Sequence, residues 1–216
     1  MKYKLAIFDL DGTILDTLGD LADSTNYALH KNNLPGRSTE EVRCFVGDGI
    51  HKLIERAVPE SSDGVLTEKV FRDFNNNYKL HCFDSTKPYE GMTECLRKLK
   101  DSGMKIAVVS NKADYAVQEL CGRFIGGLAD VVVGEKENVR RKPYPDSVEH
   151  VLAKLEICKN DAVYIGDSDV DIKTALNAGI DEIAVEWGFR DTEFLKVRGA
   201  DITVESPREL CRLLLD

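Results

Sequence analysis

The sequence predicts an α/β fold, in which a doubly wound parallel sheet forms a core domain and an all-helical domain is inserted after the first strand. Short apolar runs alternate with helical segments from residue 88 onward, which is typical of parallel strands joined by crossover helices. The run at residues 106–109 is apolar throughout, as in a parallel sheet covered on both faces. Residues 16–85 show helical spacing and no convincing strand. We therefore expect a core of residues 1–15 and 86–216 and a helical domain of residues 16–85.

The first element is a short apolar run, Leu5-Ala6-Ile7, which predicts a buried strand. It is followed by two carboxylates two residues apart, Asp9 and Asp11, and then by Gly12, which allows a tight backbone bend. Carboxylates this close repel each other unless a cation lies between them. The pattern fits a bound hard metal such as Mg²⁺, or one carboxylate that attacks while the other carries protons. An ordinary strand-end turn is the alternative, since Asp and Gly favour turns.

The inserted domain contains four segments with helical spacing. Pro35-Gly36 breaks the first of them, and Ser38, followed by Glu40 and Glu41, has the cap hydroxyl and the early acids of a helix start. The predicted helices are residues 18–34, a short helix from Ser38, residues 50–57 and residues 65–83.

The core domain continues with alternating elements. We expect strands at residues 106–109, 131–133, 162–165 and 183–185, with an edge strand at 202–204. We expect helices at residues 93–100, 114–121, 146–155, 170–178, 191–198 and 206–215.

Composition excludes several classes of protein. The chain has 216 residues, a net charge of −9 and a pI near 5.1, so phosphate backbones would repel it and we expect no nucleic-acid partner. No apolar run approaches the ~20 residues that span a bilayer, so we expect no membrane partner. Asp9 and Asp11 interrupt the apolar region that a signal peptide would need, and we expect a cytoplasmic protein.

The cysteines and histidines lack the spacing of a metal site or a disulfide framework. The six cysteines are scattered without a Cys-x-x-Cys pair, which indicates reduced and mostly buried thiols. The four histidines show no metal-ligand spacing, so we expect no zinc site.

Polar groups follow four of the predicted strands. Because ligands bind at the carboxyl ends of parallel strands, we expect these groups to share one site. Asp167, Asp169 and Asp171 fall within five residues, and such acids are costly to cluster without a cation. The groups, strand by strand, are Asp9 and Asp11; Ser110 and Asn111; Arg140-Arg141-Lys142-Pro143; and Gly166-Asp167-Ser168-Asp169-Val170-Asp171.

This set has the properties that phosphoryl transfer requires, namely a nucleophile, charge neutralisation and proton transfer. Asp9 can attack phosphorus and form an aspartyl phosphate. Asp11 can protonate the leaving oxygen and then deprotonate the water that releases phosphate. Mg²⁺ held by Asp9 and Asp167 would shield the attacking carboxylate from the negative charge of the substrate.

Two further strand ends offer groups that could bind the phosphate. Ser110, predicted at a helix N-terminus, can donate its hydroxyl and nearby amides, with Asn111 beside it. Lys142 supplies a compact positive charge, and Pro143 stiffens its loop. Alone, a Ser-Asn pair is usually a turn and a Lys-Pro pair a solvated loop. Their occurrence in order at consecutive strand ends favours function.

Taken together, these motifs resemble those of haloacid dehalogenase superfamily phosphatases with a helical cap of the C1 type and a Rossmann-like core. The resemblance spans essentially the whole chain. The matching residues are Asp9-Leu10-Asp11-Gly12-Thr13 in the first motif, Ser110 in the second, Lys142 in the third and Gly166-Asp167-Ser168-x-x-Asp171 in the fourth.

The resemblance implies a role for each matching residue. Asp9 would be the nucleophile, and Asp11 the acid and base, with its backbone carbonyl also on Mg²⁺. Ser110 and Lys142 would bind the phosphoryl group. Asp167 would ligate the metal, with Asp171 supporting it and Gly166 keeping the approach to Asp167 open. Relatives that cleave carbon–halogen or phosphonate bonds lack an aspartate at position 11, so its presence implies phosphate ester or anhydride chemistry.

Within the superfamily, the chain is most similar to phosphoglycolate phosphatases. The shared strings are Val46-Gly47-x-Gly49-x-x-x-Leu53, Ser110-Asn111-Lys112, Trp187-Gly188-Phe189-Arg190 and Gly199-Ala200-Asp201. We expect a small phosphate ester as substrate, with the helical insert acting as a lid that excludes water. The candidates for its substrate-facing loop are Gly47, Gly49, His51 and Lys52, with Arg56 nearby; an ordinary interhelix turn with solvated charges is the alternative.

Other functions remain open from the sequence. A sugar-phosphate mutase related to β-phosphoglucomutase is one, although the cap loop offers Ile50, His51 and Lys52 where that group carries an arginine. A pyrophosphatase or nucleotidase of the same superfamily is another. A signalling receiver domain also carries an aspartyl phosphate on Mg²⁺, but it needs neither the long helical insert nor the acid pair that encloses one residue. Both a monomer and a homodimer are compatible with the sequence.

Overall fold

The computed structural model describes residues 2–216, and the chain forms two compact units. The first contains the described residues up to Asp16 together with Pro88–Asp216, and the second is Thr17–Lys87. Leu15–Asp16 (β2) and Lys87–Pro88 (β3) form a separate two-stranded sheet at the two points where the chain passes from one unit to the other.

The first unit is built on a six-stranded parallel sheet, which confirms the predicted α/β fold. The spatial order of the strands is β5-β4-β1-β6-β7-β8. The strands are β1 Leu5–Phe8, β4 Lys105–Ala113, β5 Val131–Glu135, β6 Ala162–Gly166, β7 Asp181–Val185 and β8 Thr203–Val204.

Strand β1 lies at the centre of the sheet and is wholly buried. Phe8 is in register with Val108 of β4 on one side and with Ile165 of β6 on the other. Because neighbouring strands take up both edges of β1 and helices cover the sheet, its side chains are apolar on both faces. The backbone N–H of Asp9 donates to the carbonyl of Ile165 at 2.9 Å, so the residue after β1 is held at the carboxyl edge of the sheet.

Helices alternate with these strands, as predicted, and boundaries move by only a few residues. Side chains from α7 and α8 form one core cluster with Leu5, Ile7 and Tyr164. The helices of this unit are α5 Met92–Asp101, α6 Asp114–Phe124, α7 Asp146–Leu155, α8 Asp169–Ala178, α9 Thr192–Val197 and α10 Pro207–Leu215, with a 3₁₀ turn at Lys159–Asp161.

Strand β4 corrects one prediction, because it continues well beyond Val109. Its pairing with β5 shifts between Val109 and Ala113, where Ala113 pairs with Glu135, and α6 begins only at Asp114. Ser110 therefore lies inside a bulged strand and not at a helix N-terminus. The polar side chains in this stretch are buried yet hydrogen-bonded, so they do not end the strand.

The second unit is helical, with α1 Leu18–Lys31, α2 Thr39–Phe45, α3 Ile50–Ala57 and α4 Gly64–His81. The cap at Ser38 forms as predicted: its hydroxyl accepts from the Glu41 N–H at 3.2 Å, while the Glu41 carboxylate accepts from the Ser38 N–H at 2.8 Å. Val70, Phe74 and Tyr78, one face of α4, are buried.

Asp20 fastens the two ends of this helical unit to each other. Its buried carboxylate accepts hydrogen bonds from the N–H and hydroxyl groups of both Ser85 and Thr86, at 2.6–2.9 Å. Burial alone would raise the pKa of Asp20, but these hydrogen bonds lower it below its usual range. Asp20 is thus a structural acid, distinct from those described below.

Two other predictions concern the whole chain. All six cysteines are free thiols, and four of them are buried, whereas Cys44 and Cys158 are exposed. Over residues 2–216, none of the helices is both long enough and apolar enough for a bilayer crossing.

Candidate active site

Three carboxylates meet at the carboxyl edge of the sheet. Asp9 follows β1, Asp167 follows β6, and Asp171 lies in the first turn of α8. One oxygen from each lies within 4.8 Å of the others, and Asp167 and Asp171 are buried. The sheet therefore brings together acids that are about 160 residues apart in the sequence, because parallel strands end at a common edge.

Lys142 is the buried cation of this group. Its Nζ lies 2.9 Å from Asp9 Oδ1, 2.7 Å from Asp171 Oδ1 and 3.0 Å from the hydroxyl of Tyr164. An ammonium has three donors, so these three acceptors satisfy it. Burial alone would lower the pKa of Lys142, but the carboxylates of Asp171 and Asp9 raise it well above its usual value. The side chain is therefore a permanent positive charge beside Asp9.

Tyr164 belongs to this network, although the sequence analysis did not identify it. Its hydroxyl accepts from Lys142 and donates to the carbonyl of Val109 at 3.0 Å. Burial raises the pKa of this phenol well above its usual value, so it stays neutral. The signal in the sequence was a polar-tipped aromatic residue in an apolar strand, since a buried tyrosine hydroxyl must find a partner.

Asp171 uses both of its oxygens within the protein. Oδ1 accepts from Lys142, while Oδ2 accepts from the Ser168 hydroxyl at 2.6 Å and from the Ser168 N–H at 3.1 Å. The same carboxylate thus caps α8 and orients the lysine. Asp169 was predicted to cluster with these acids, but its carboxylate pairs with Lys173 at 2.7 Å, one turn along α8, and the prediction was wrong for this residue.

Asp167 is held by two donors from different segments. The backbone N–H of Phe189 lies 2.7 Å from Oδ2, and the hydroxyl of Thr13 lies 3.3 Å from Oδ1. The indole N–H of Trp187 in turn donates to the Thr13 carbonyl at 3.0 Å. The Trp187–Phe189 string, which the sequence indicated only through resemblance, thus has a physical role next to the proposed metal ligand.

Glycines provide the room that these carboxylates occupy. A Cβ at Gly12 or at Gly188 would lie 2.3 Å or 2.2 Å from an atom of Asp167, and Gly12 also has a φ of +83°. A Cβ at Gly166 would lie 2.3 Å from Asp171. Gly166 therefore makes room for Asp171, and Gly12 and Gly188 make room for Asp167. That Gly166 also keeps the approach to Asp167 open stays a prediction.

The electrostatics of the group fit a bound cation. Burial raises the pKa of Asp9 to about 8, with Lys142 opposing this shift and the neighbouring carboxylates adding to it. Burial and the charge of Asp171 raise the pKa of Asp167 to about 7. Three buried carboxylates and one lysine leave excess negative charge, which a hard divalent cation with oxygen ligands would neutralise.

Asp11 points its carboxylate to a second buried lysine that the sequence analysis did not assign. Nζ of Lys112 lies 2.7 Å and 2.8 Å from the two oxygens of Asp11, and the Lys112 side chain is 2% exposed. No local pattern indicates this contact, because a lysine after a strand usually extends into solvent.

Ser110 and Asn111 are both buried, and each is hydrogen-bonded to the backbone of one of these two lysines. The hydroxyl of Ser110 accepts from the N–H of Lys112 at 3.2 Å. The amide of Asn111 donates to the carbonyl of Lys142 at 3.0 Å, so it holds the lysine loop in place. Arg140 and Arg141 lie outside this group, because they pair with Asp146 and Glu135 at the surface.

The substrate-loop candidates all lie in the helical unit. Gly47 and Gly49 have φ values of +127° and +85°, and Gly49 precedes α3. His51 contacts two glutamates, at 3.0 Å from Glu55 and 2.7 Å from Glu68. Within the same unit, Lys52 pairs with Glu55, and Arg56 pairs with Asp48.

Comparisons with known proteins identify the family of this chain. Residues 6–185 match the family model of haloacid dehalogenase-like hydrolases. A phosphoglycolate phosphatase of Chromobacterium violaceum is 33% identical, with 98% of this chain and 96% of the relative covered. An N-acetylmuramic acid 6-phosphate phosphatase of Pseudomonas aeruginosa is 31% identical, with 99% and 96% covered.

A solved structure gives the same result. A crystal structure from Lactobacillus delbrueckii subsp. bulgaricus, of a protein assigned by inference as a phosphoglycolate phosphatase, is 36% identical. It superposes with a TM-score of 0.95 over 99% of both chains. The family match covers most of the sequence and includes Asp9, Lys142 and Asp167. This chain belongs to the haloacid dehalogenase-like hydrolase family.

Proposed function

We propose that this protein is a Mg²⁺-dependent phosphatase that hydrolyses a small, phosphoglycolate-like phosphomonoester through an aspartyl-phosphate intermediate. One observation carries the proposal: the carboxylate of Asp9 lies 2.9 Å from the ammonium of a buried lysine and forms a cluster with the carboxylates of Asp167 and Asp171. A carboxylate with a fixed cation on one side and metal-ligating oxygens on the other is suited to attack a negatively charged phosphoryl group.

The metal would be held by Asp9 and Asp167, with the backbone carbonyl of Asp11 as a further ligand and Asp171 in support. When bound, Mg²⁺ would neutralise charge between the attacking carboxylate and the phosphoryl oxygens. Asp171 fits a supporting role because both its oxygens already accept hydrogen bonds from the protein.

In the first step, a carboxylate oxygen of Asp9 forms a bond to phosphorus while the bond from phosphorus to the leaving oxygen breaks. Among residues 2–216, Lys142 and the Leu10 N–H contact the Asp9 carboxylate, both at Oδ1, so Oδ2 is the oxygen available for the new bond. Asp11 donates a proton to the leaving oxygen, which departs as an alcohol. Ser110 donates its hydroxyl to a phosphoryl oxygen, and Lys142 attracts the phosphoryl group as a fixed positive charge beside Asp9.

In the second step, water attacks the phosphorus of the aspartyl phosphate. Asp11, now deprotonated, accepts a proton from this water as the new oxygen–phosphorus bond forms. The bond between phosphorus and Asp9 breaks, inorganic phosphate leaves, and both carboxylates return to their starting state.

The relatives support a phosphomonoester as the substrate class. Two of them, at 33% and 31% identity, are named for phosphatases of phosphoglycolate and of N-acetylmuramic acid 6-phosphate. These compounds share a phosphate on a primary alcohol oxygen and a carboxylate elsewhere. Because the core motifs bind only the phosphoryl group, we propose that Gly47, Gly49, His51 and Lys52 in the helical unit select the rest of the molecule.

Phosphate release from 2-phosphoglycolate tests the proposal. We expect turnover with Mg²⁺, loss of turnover with EDTA and recovery when Mg²⁺ is restored. Asp9→Asn removes the nucleophile, so kcat should fall by at least ~10³-fold, which exceeds the loss of a single polar contact. Asp169→Asn is the matched control. Asp169 pairs with Lys173 outside the cluster of Asp9, Asp167 and Asp171, so removing its charge should leave kcat unchanged.

Two results would overturn the proposal. Normal turnover by the Asp9→Asn variant would show that Asp9 is not the nucleophile. Isomerisation of β-glucose 1-phosphate with a bisphosphate primer, without net phosphate release, would make the protein a mutase. A panel of phosphate esters that includes pyrophosphate and nucleotides, compared by kcat/KM, identifies the preferred substrate.

A further inference from the structure

Lys112 is a buried cation that the chemistry described above does not use. Its ammonium contacts both oxygens of Asp11, at 2.7 Å and 2.8 Å, and its side chain is less exposed than that of Asp11. We propose that Lys112 is a positioning residue that holds the proton-transferring carboxylate of Asp11. This inference rests on the proposed function, since it assumes that Asp11 transfers the proton.

Both contacts come from the same Nζ, so they hold the carboxyl end of the Asp11 side chain close to the Lys112 ammonium. The side chain of Lys112 is only 2% exposed and that of Asp11 is 14% exposed, so water competes weakly for either group. In this setting of low dielectric, the attraction between the two charges is stronger than it would be in water.

The fold holds Lys112 firmly in turn. It lies in β4, within the stretch between Val109 and Ala113 where the pairing with β5 shifts, and its N–H donates to the Ser110 hydroxyl at 3.2 Å. Strand β4 is hydrogen-bonded to β1, which ends directly before Asp9 and Asp11. The lysine is therefore carried by the strand beside the acid, in the bulged stretch of β4.

This placement affects the step in which the leaving group departs. As the bond from phosphorus to the leaving oxygen breaks, its electron pair stays on that oxygen, which takes the proton of Asp11. Asp11 then carries a full negative charge, and the ammonium of Lys112 lies in place to stabilise it. Lys112 itself exchanges no proton in this step.

The leaving group separates this role from the alternatives. An alkyl alcohol leaves slowly without a proton, whereas p-nitrophenolate leaves readily as an anion. A residue that acts through Asp11 should therefore matter for alkyl phosphates and much less for p-nitrophenyl phosphate. A purely structural residue should matter equally for both. A residue that binds the substrate's carboxylate should matter for 2-phosphoglycolate and not for ethyl phosphate.

The experiment compares kcat/KM for 2-phosphoglycolate, ethyl phosphate and p-nitrophenyl phosphate. A displacement of a catalytic group by about 1 Å can cost ~10²-fold, so for Lys112→Met we expect a ~10- to 100-fold loss on both alkyl phosphates. On p-nitrophenyl phosphate, where proton transfer contributes little, we expect a loss of about threefold or less. Lys112→Arg, which keeps the charge, should recover part of the loss on the alkyl phosphates.

Two controls complete the design. Lys98→Met removes an exposed lysine that pairs with Glu94, and it should change none of the three values. In the Asp11→Asn background, adding Lys112→Met should cause no further loss, because residues that act through one group are not additive. Circular dichroism confirms that each variant is folded, and Lys112→Arg serves as the test if the methionine variant is not.

The outcomes distinguish this inference from the proposed function. Equal losses on all three substrates, a loss confined to 2-phosphoglycolate, or an additive loss in the Asp11→Asn background would each overturn the role of Lys112. If Asp11→Asn keeps full activity on ethyl phosphate, the proposed proton transfer itself is wrong. If Asp11→Asn is impaired and Lys112→Met is not, only the inference about Lys112 fails.

Discussion

Lys142 connects three parts of the candidate site through a single ammonium group. It contacts the proposed nucleophile Asp9, the α8 cap Asp171 and the phenol of Tyr164. Buried charges are stable only when every hydrogen-bonding group has a partner, because the low dielectric inside a protein makes an unpaired donor costly. The position of the positive charge beside Asp9 is therefore determined by three acceptors together.

Substitution of Tyr164 by Phe tests this at the level of one oxygen. The change removes the acceptor from Lys142 and the donor from the Val109 carbonyl while the ring keeps its shape. Leaving buried polar groups unpaired costs about 1–3 kcal/mol each, so we expect urea unfolding to show a loss of at least about 1 kcal/mol. We also expect a fall in kcat/KM for 2-phosphoglycolate, because Lys142 can then shift away from Asp9.

Tyr144→Phe is the matched control for this prediction. Tyr144 is about half exposed and its ring packs beside the guanidinium of Arg140, so its hydroxyl is not part of the buried network. We expect neither stability nor kcat/KM to change. Wild-type behaviour of Tyr164→Phe in both measurements would contradict the proposed coupling to Lys142.

Among the elements, the segment after β7 has the least obvious role in the sequence and a direct one in the structure. The N–H of Phe189 binds Asp167, and the backbone of Gly188 passes so close that only a hydrogen fits there. Close approach of a backbone to a functional group is one of the reasons for glycine in proteins. This segment therefore positions Asp167, the proposed metal ligand, although it does not belong to the cluster of Asp9, Asp167 and Asp171.

Gly188→Ala should therefore weaken metal binding more than it destabilises the fold. The new Cβ would lie 2.2 Å from an atom of Asp167, so the carboxylate or the segment must move. We expect the Mg²⁺ concentration for half-maximal activity to rise by at least ~10-fold, as for other residues that orient a metal ligand. Titration calorimetry with Mn²⁺ provides a measurement that is independent of activity.

Gly122→Ala provides a comparison in the same unit. Gly122 lies within α6, and a Cβ there would meet nothing within 4 Å. Alanine is favoured over glycine inside helices by about 0.5–1 kcal/mol, so this variant should be as stable as the wild type or more stable. If Gly188→Ala binds Mn²⁺ with wild-type affinity, the role given to this segment is wrong.

At the scale of the whole molecule, the buried carboxylates couple folding to pH. The folded chain without metal holds Asp9 and Asp167 with pKa values of about 8 and about 7, above those of exposed aspartates. Between about pH 4 and about pH 8 the folded state therefore binds more protons than the unfolded state. Its free energy of unfolding must fall as the pH rises through this window.

Mg²⁺ should reverse this effect, since it binds the ionised carboxylates of the folded state. A ligand present at ~100 times its dissociation constant adds about 2.7 kcal/mol. Because protons compete for the same oxygens, we expect the increase in Tm on adding Mg²⁺ to be larger near pH 8 than near pH 5. Thermal unfolding at both pH values, with Mg²⁺ and with EDTA, measures it.

Substitutions at Asp167 and Asp169 test which carboxylates couple folding to pH and to Mg²⁺. Asp167→Asn removes a proposed ligand and should abolish the Mg²⁺-dependent increase in Tm, while Asp169→Asn should retain it because Asp169 pairs with Lys173. An increase in Tm of the same size at both pH values would show that Mg²⁺ binds elsewhere on the chain.

Much of this protein was determined by its sequence alone. The apolar runs and helix caps predicted the parallel sheet, the helical insert and the order of the elements, because these depend on periodicity and on neighbours within a few residues. The same order placed Asp9, Lys142 and Asp167 at strand ends, and parallel strands share one ligand-binding edge. The sequence alone therefore predicted that these three residues lie near one another.

Only the tertiary structure decided which groups touch. The pairing of Lys112 with Asp11, of Tyr164 with Lys142 and of Phe189 with Asp167 joins residues that are between about 20 and 100 positions apart. Such contacts depend on how strands are staggered, on a bulge in β4 and on which side chains the interior must satisfy. Local patterns contain none of this, because a buried charge finds its partner through packing across the whole sheet.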